Sequence, residues 1–96
     1  MAFSLHLSDE TKTVIARLER DAPGRAIKVK QTLGLIERDP RYRGLNTHPY
    51  DSKTGPHGEK IWESYVENKT PAAYMVFWYY GPGQRAITVL SITPHP

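Results

Sequence analysis

The sequence predicts an α+β fold: an N-terminal strand and a helical hairpin packed on a small antiparallel β-sheet, in the order β-α-α-β-β-β. Three observations predict it. Apolar and polar residues alternate over positions 3–7, apolar residues recur at helical spacing between positions 14 and 36, and the chain from position 60 is dense in aromatic and β-branched side chains divided by turn residues.

In Phe3-Ser-Leu-His-Leu7 the period of two turns Phe3, Leu5 and Leu7 inward and His6 outward. Ser8 follows as a helix cap, because its hydroxyl can accept from an unpaired amide of the first turn; Asp9 and Glu10 then place negative charge at the positive end of the helix dipole. Val14, Ile15 and Leu18 share one face of a helix that runs to about Arg20. Asp21-Ala-Pro-Gly24 interrupts it, since Pro23 disfavours helical backbone at Ala22 and Gly24 accepts a left-handed conformation. Ala26, Val29, Leu33 and Ile36 form the apolar stripe of a second helix, with Arg25, Lys28, Gln31 and Arg38 toward water, and Asp39-Pro40 ends it. The short connection makes the two helices an antiparallel pair.

Residues 40–58 hold Gly44, Pro49, Gly55, Pro56 and Gly58 with little periodicity, and are expected to form a long loop pinned by Leu45 and Tyr50. Loops beyond about 12–15 residues in a small domain are often functional. Lys60 to Glu67 reads as a strand, Asn68-Lys-Thr-Pro71 as a turn, Ala72 to Tyr80 as a second strand, Gly81-Pro-Gly83 as a turn and Arg85 to Thr93 as a third strand, together an antiparallel meander. The Asn68-Lys69-Thr70 sequon is read as part of the hairpin turn. Tyr74, Val76, Trp78 and Tyr80 alternate with Ala73, Met75, Phe77 and Tyr79, so both faces of the central strand are apolar. The helices cover one. The long loop, a second copy in a homodimer, or a bound partner is left for the other.

With 96 residues and 10.9 kDa the chain is expected to form a single domain, 1–96. The absence of cysteine excludes disulfides, thiolate zinc sites and thiol catalysis, and fits a cytoplasmic protein. No apolar run approaches the roughly 20 residues of a membrane span, and no basic segment precedes an apolar one at the start, so neither membrane insertion nor a signal peptide is expected. The net charge of +3 permits binding to a phosphate backbone. Residues 41–60 are the basic part, with Arg41, Arg43, Lys53 and Lys60 against Asp51 and Glu59.

Phosphate-binding loops and dinucleotide fingerprints are absent, and the histidines at 6, 48, 57 and 95 have no metal-ligand spacing, so no metal or cofactor is expected. Glu63 and Glu67 fall on one strand face, which suggests a cross-strand surface role. The chemistry lies elsewhere. Metal-free RNA cleavage needs a base for the ribose 2′-OH, cations for the phosphorane and an acid for the leaving oxygen. His48 and His95 are the candidates for base and acid. Arg43, Lys53, Lys60 and Arg85 are the candidate RNA-binding cations, with Tyr50, Tyr65 or Tyr79 available to stack on a base.

The succession Leu33-Gly-Leu-Ile-Glu-Arg-Asp-Pro40, Arg41-Tyr-Arg-Gly-Leu45, Gly58-Glu-Lys-Ile-Trp-Glu-Ser-Tyr-Val66, Ala73-Tyr-Met-Val-Phe-Trp78 and Ile87-Thr-Val-Leu-Ser-Ile-Thr-Pro-His95 resembles the RelE/ParE superfamily of bacterial toxins over nearly the whole chain. The resemblance implies the toxic half of a toxin–antitoxin pair: a ribosome-dependent, metal-independent mRNA endoribonuclease that inhibits translation and is silenced by a cognate antitoxin. It places His95 at the position of the leaving-group acid and His48 near that of the base. It also implies an alternative, a ParE-like or inactive relative that acts by binding a protein such as an antitoxin or a gyrase-like target. Two departures favour the alternative: Met75 stands where nuclease members hold a phosphate-contacting Arg, and Pro96 replaces an aromatic end.

Overall fold

The computed structural model describes residues 2–67 and 72–94. The elements are β1 (Ser4–Leu7), α1 (Asp9–Asp21), α2 (Pro23–Arg38), a 3-10 turn (Arg43–Leu45), β2 (His48–Thr54), β3 (Lys60–Tyr65), β4 (Tyr74–Tyr80) and β5 (Ala86–Pro94). The described strands form one five-stranded sheet in the order β1-β5-β4-β3-β2. Strands β3, β4 and β5 are the expected antiparallel meander, and β1 joins the edge of β5 in parallel, with Leu5 opposite Ile87 and Leu7 opposite Val89. The sheet is therefore mixed, because the helical hairpin carries the chain from β1 back over one face before the meander begins.

Ser8 caps α1 as its position implied. Its hydroxyl accepts from the Thr11 amide at 3.0 Å and donates to the Leu90 carbonyl at 2.7 Å, so the helix start is tied to β5. A single residue, Ala22, separates the helices, and α2 begins at Pro23, whose missing N–H costs nothing in a first turn. Gly24 is helical, which corrects the left-handed role expected of it. The sequon and turn at 68–71, and residues 95 and 96, lie outside the described residues.

The long loop expected over residues 40–58 is also corrected. It holds the 3-10 turn, then β2, which pairs antiparallel with β3 through His48 opposite Glu63 and Thr54 opposite Lys60, with an irregular register between. As an edge strand, β2 is bonded on one side only, so Pro49 loses no ladder bond and charged residues face water.

Two apolar clusters flank the sheet. The helix side buries Val14, Leu18, Val29, Leu33 and Ile36 against Val76, Trp78, Ile87, Val89 and Ile92, with Phe3, Leu5 and Leu7 at its margin. The outer side buries Ile61, Met75, Phe77 and Tyr79, with Tyr50, Tyr65 and Leu90 packed around them. A register shift in the β4–β5 ladder sets Trp78 opposite Val89 but Phe77 opposite Ser91. One residue of β5 is thereby extra, which lets both Leu90 and Ser91 turn toward the outer side.

Candidate functional site

Alternation along β3 decides which candidate residues meet. Ile61, Glu63 and Tyr65 point to the outer side; Lys60, Trp62 and Ser64 point to the helix side. Across the outer side one row runs His48 (β2), Glu63 (β3), Phe77 (β4) and Ser91 (β5). His48 is 43% exposed, whereas Glu63 is 7% exposed and gives its carboxylate to His48 Nε2. The other ring nitrogen, Nδ1, lies 3.0 Å from the Asn46 carbonyl. That carbonyl can only accept, so the hydrogen bond there is made by the tautomer that carries its proton on Nδ1. The Tyr65 ring lies beside the imidazole, at 5.8 Å between centroids.

Next to this pair opens a groove of about 410 Å³ lined by Tyr50, Lys53, Phe77, Leu90, Ser91 and Thr93 among others, with Glu10 of α1 at its edge. Its floor is aromatic: Tyr50 meets Phe77 edge-on at 4.9 Å. Tyr79 is only 6% exposed and so offers no free ring face, which corrects its expected stacking role.

The sequence candidates thus divide. His48, Tyr65 and Lys53 share the outer side. Lys60 lies over the Trp62 ring, 5.4 Å from its centroid, on the helix side. Arg43 belongs to the 3-10 turn and lines a separate groove there. Arg85, in left-handed backbone before β5, lays its guanidinium 4.6 Å from the centre of the Phe3 ring. His95 lies outside the described residues.

Glu63 was missed as a functional group. It is neither on the surface nor on a face shared with Glu67, because the strand ends at Tyr65 and Glu67 turns toward α2, pairing with Arg25 at 3.2 Å and Lys28 at 3.5 Å. Burial alone would raise the Glu67 pKa, but the Arg25 hydrogen bond, the Tyr74 amide and the two cationic charges outweigh it and hold the carboxyl below its ordinary value.

A hydrogen-bonded chain fixes the approach to His48. The Trp78 indole N–H donates to Ser64 Oγ at 2.8 Å, Ser64 and Thr47 hydroxyls meet at 2.6 Å, and Thr47 donates to the Pro40 carbonyl at 3.3 Å. An indole only donates, a carbonyl only accepts, and each hydroxyl has one proton, so the order is unambiguous: Ser64 donates to Thr47. Thr47 is the residue before His48.

The class this architecture defines is a helical hairpin packed on one face of a small five-stranded mixed sheet. No protein-family model and no curated sequence matches the chain. Solved structures do. The archaeal RelE of a RelE–RelB complex from Pyrococcus horikoshii superposes with a TM-score of 0.71 at 12% identity, covering 98% of this chain and 96% of that one. A YoeB/ParE toxin from Agrobacterium tumefaciens gives 0.72 at 11% identity over 97% and 99%. The YoeB dimer from Staphylococcus aureus gives 0.68 at 10% identity over the full length of both chains. The chain has the RelE/ParE toxin fold. Among the described residues no helix is long and apolar enough to cross a membrane.

Proposed function

We propose that this chain is the toxin of a toxin–antitoxin pair and acts as a metal-independent RNA endonuclease, cutting mRNA on the ribosome. The observation that carries the reading is the His48–Glu63 pair on the outer side, in the row that continues into Phe77 and Ser91 of the outer groove. A buried carboxylate that holds Nε2–H fixes the imidazole and offsets the charge it gains when Nδ1 takes a proton. On binding, Nδ1 would leave the Asn46 carbonyl and the single proton of the neutral imidazole would lie on Nε2 toward Glu63, so that the bare Nδ1 takes the proton of the ribose 2′-OH; a base would lie against Tyr65 or Tyr50, and Lys53 would face the phosphate. His95 is the proposed acid. The proposed regulator is an antitoxin segment covering the outer groove.

The test is synthesis of a reporter in translating extract with mapping of mRNA ends, comparing the wild-type chain with His48→Ala, Glu63→Gln and His95→Ala. Cleavage lost in His48→Ala and His95→Ala, and reduced in Glu63→Gln, supports the nuclease. Toxicity that survives all three changes with intact mRNA removes it.

A second reading, a toxin that acts by gripping a protein, is favoured by Met75. That side chain is fully buried among Ile61, Phe77 and Tyr79, so the centre of the outer side is apolar packing with no cation where the superfamily resemblance would place a phosphate-contacting Arg.

A further inference from the structure

On the helix side of the β2–β3 edge lies a second groove, also of about 410 Å³, between the 3-10 turn and the sheet. Its walls include Arg41, Tyr42, Arg43, Trp62 and Tyr80. Tyr42 is 49% exposed and Tyr80 is 37% exposed, so two of the three large apolar side chains exposed among the described residues line one cavity. Clustered exposed aromatics are costly to leave in water and mark binding surfaces. The rim is cationic. Arg41 and Arg43 belong to it and the Lys60 ammonium stands over the Trp62 ring, while the neighbouring Asp39 carboxylate is occupied by the Arg41 amide at 3.1 Å.

Aromatic walls with a cationic rim suit a ligand that has a flat face and a negative charge one sugar ring away. That is a nucleotide. We propose that this groove is a binding subsite for single-stranded RNA: a nucleobase stacks among Tyr42, Trp62 and Tyr80, and its flanking phosphates meet Arg41, Arg43 and Lys60. Two features prepare the site. The Tyr42 ring packs over Gly44 so closely that a Cβ there would stand 2.6 Å from the ring, which holds the ring at the groove mouth. Asn46 lines the groove and its carbonyl is the acceptor for His48 Nδ1, so the subsite adjoins the outer site through a single residue. Thr47 and His48 face opposite sides of the sheet edge, and one RNA strand passing over that edge would reach both.

The subsite is a matter of binding and does not need the outer side to cut. Its test is a fluorescence-anisotropy titration of a 5′-labelled hexaribonucleotide of mixed sequence, with AMP titrated in parallel by quenching of tryptophan emission. The variants are Tyr42→Ala, Tyr42→Phe, Gly44→Ala, the double variant Arg41→Ala with Arg43→Ala, and the control Ile27→Ala. Tyr42→Ala should weaken the hexamer about tenfold, with Tyr42→Phe close to wild type, as base stacking requires. Gly44→Ala should weaken it by displacing the ring, and the arginine pair should lower the salt slope by about 1.4, near 0.7 for each lost phosphate contact. Ile27→Ala, on an exposed position of α2 that lines neither groove, should bind as wild type does. Hexamer affinity untouched by Tyr42→Ala and by the arginine pair overturns the proposal, as does the absence of hexamer binding or binding of AMP as tight as that of the hexamer, which would mark a free-nucleotide site. Cleavage is read separately, so a chain that binds here and cuts nothing fails the nuclease reading alone.

Discussion

Replacing Ser64 by Ala should destabilise the protein far more than the loss of one small hydroxyl suggests. Ser64 is fully buried and Trp78 is 1% exposed, so the indole N–H has no water to turn to once its acceptor is gone. An orphaned buried donor costs about 1–3 kcal/mol. Thr47 loses a donor as well, but it is half-buried and recovers part of that from solvent, so the total comes to about 2–3 kcal/mol. For a domain of this size each kcal/mol lowers Tm by about 4–8 °C, which predicts a fall of about 10–20 °C. The assay is urea unfolding followed by tryptophan emission and by circular dichroism, carried out as a double-mutant cycle with Trp78→Phe. Phe keeps a ring in place but removes the N–H, so Ser64→Ala should cost only about 1 kcal/mol in that background, a coupling of about 1–2 kcal/mol. An equal cost in both backgrounds would refute the directed chain from Trp78 through Ser64 to Thr47. The same chain predicts loss of ordered His48 placement, because Thr47 anchors the strand entry next to it.

Three further outcomes test the scaffold. Ser8→Ala removes both the α1 cap and the bond to Leu90, and should cost about 1–2 kcal/mol in urea unfolding; a change within 0.3 kcal/mol of zero would deny the cap its role. Gly34→Ala, in the interior of α2 where a Cβ meets nothing within 4 Å, should stabilise by about 0.5–1 kcal/mol, and a loss of stability would show that the space is not open. Glu67→Gln tests linkage: the folded carboxyl titrates below its ordinary value of 4.5, so its stabilising contribution is present above that range and disappears as pH falls through the lowered value. The Tm gap between wild type and Glu67→Gln should therefore be open at pH 7 and close as pH falls through the lowered carboxyl value; a gap of constant size down to that acid range would contradict the Arg25–Glu67–Lys28 cluster as its source.

What was legible in the sequence follows from where each element sits. Helix α2 and strand β4 could be read because each is buried against the body of the protein, and burial imposes a period on the residues: Val29, Leu33 and Ile36 along one stripe, Val76 and Trp78 on one pleat. Strand β2 has no such constraint. From Asp51 to Thr54 its residues are all exposed, so nothing selects an alternating pattern, and Pro49 together with the irregular register erases what remains. Missing β2 hid the site's second member, since only the β2–β3 register sets Glu63 opposite His48. The separation of Lys60 from Tyr65 could have been read directly: positions 60 and 65 differ by an odd number on one strand and so face opposite sides. His48 stood out for its chemistry, but its partner depended on a pairing across the chain that no local pattern records.

Met75 tests what the outer side is built for. If the buried cluster of Met75, Ile61, Phe77 and Tyr79 is structural packing, a cation cannot simply be restored at its centre. Position 75 is fully buried, and Glu63, the only carboxylate of β3 and on the same side, is already engaged by His48. Met75→Arg would therefore bury a charge without a partner and should destabilise by about 3 kcal/mol or more, while Met75→Leu, of similar volume, should cost less than about 1.5 kcal/mol. The measurement is urea unfolding of both variants beside wild type. A Met75→Arg chain that folds with wild-type stability and cuts RNA faster would mean that the outer cluster opens readily and that the phosphate clamp is a matter of one side chain. Severe destabilisation, with Met75→Leu normal, means that the fold has committed this position to its core. Phosphate recognition would then have to come from the periphery, where Lys53 on one side of the β2 edge and Arg41 and Arg43 on the other are the groups in place.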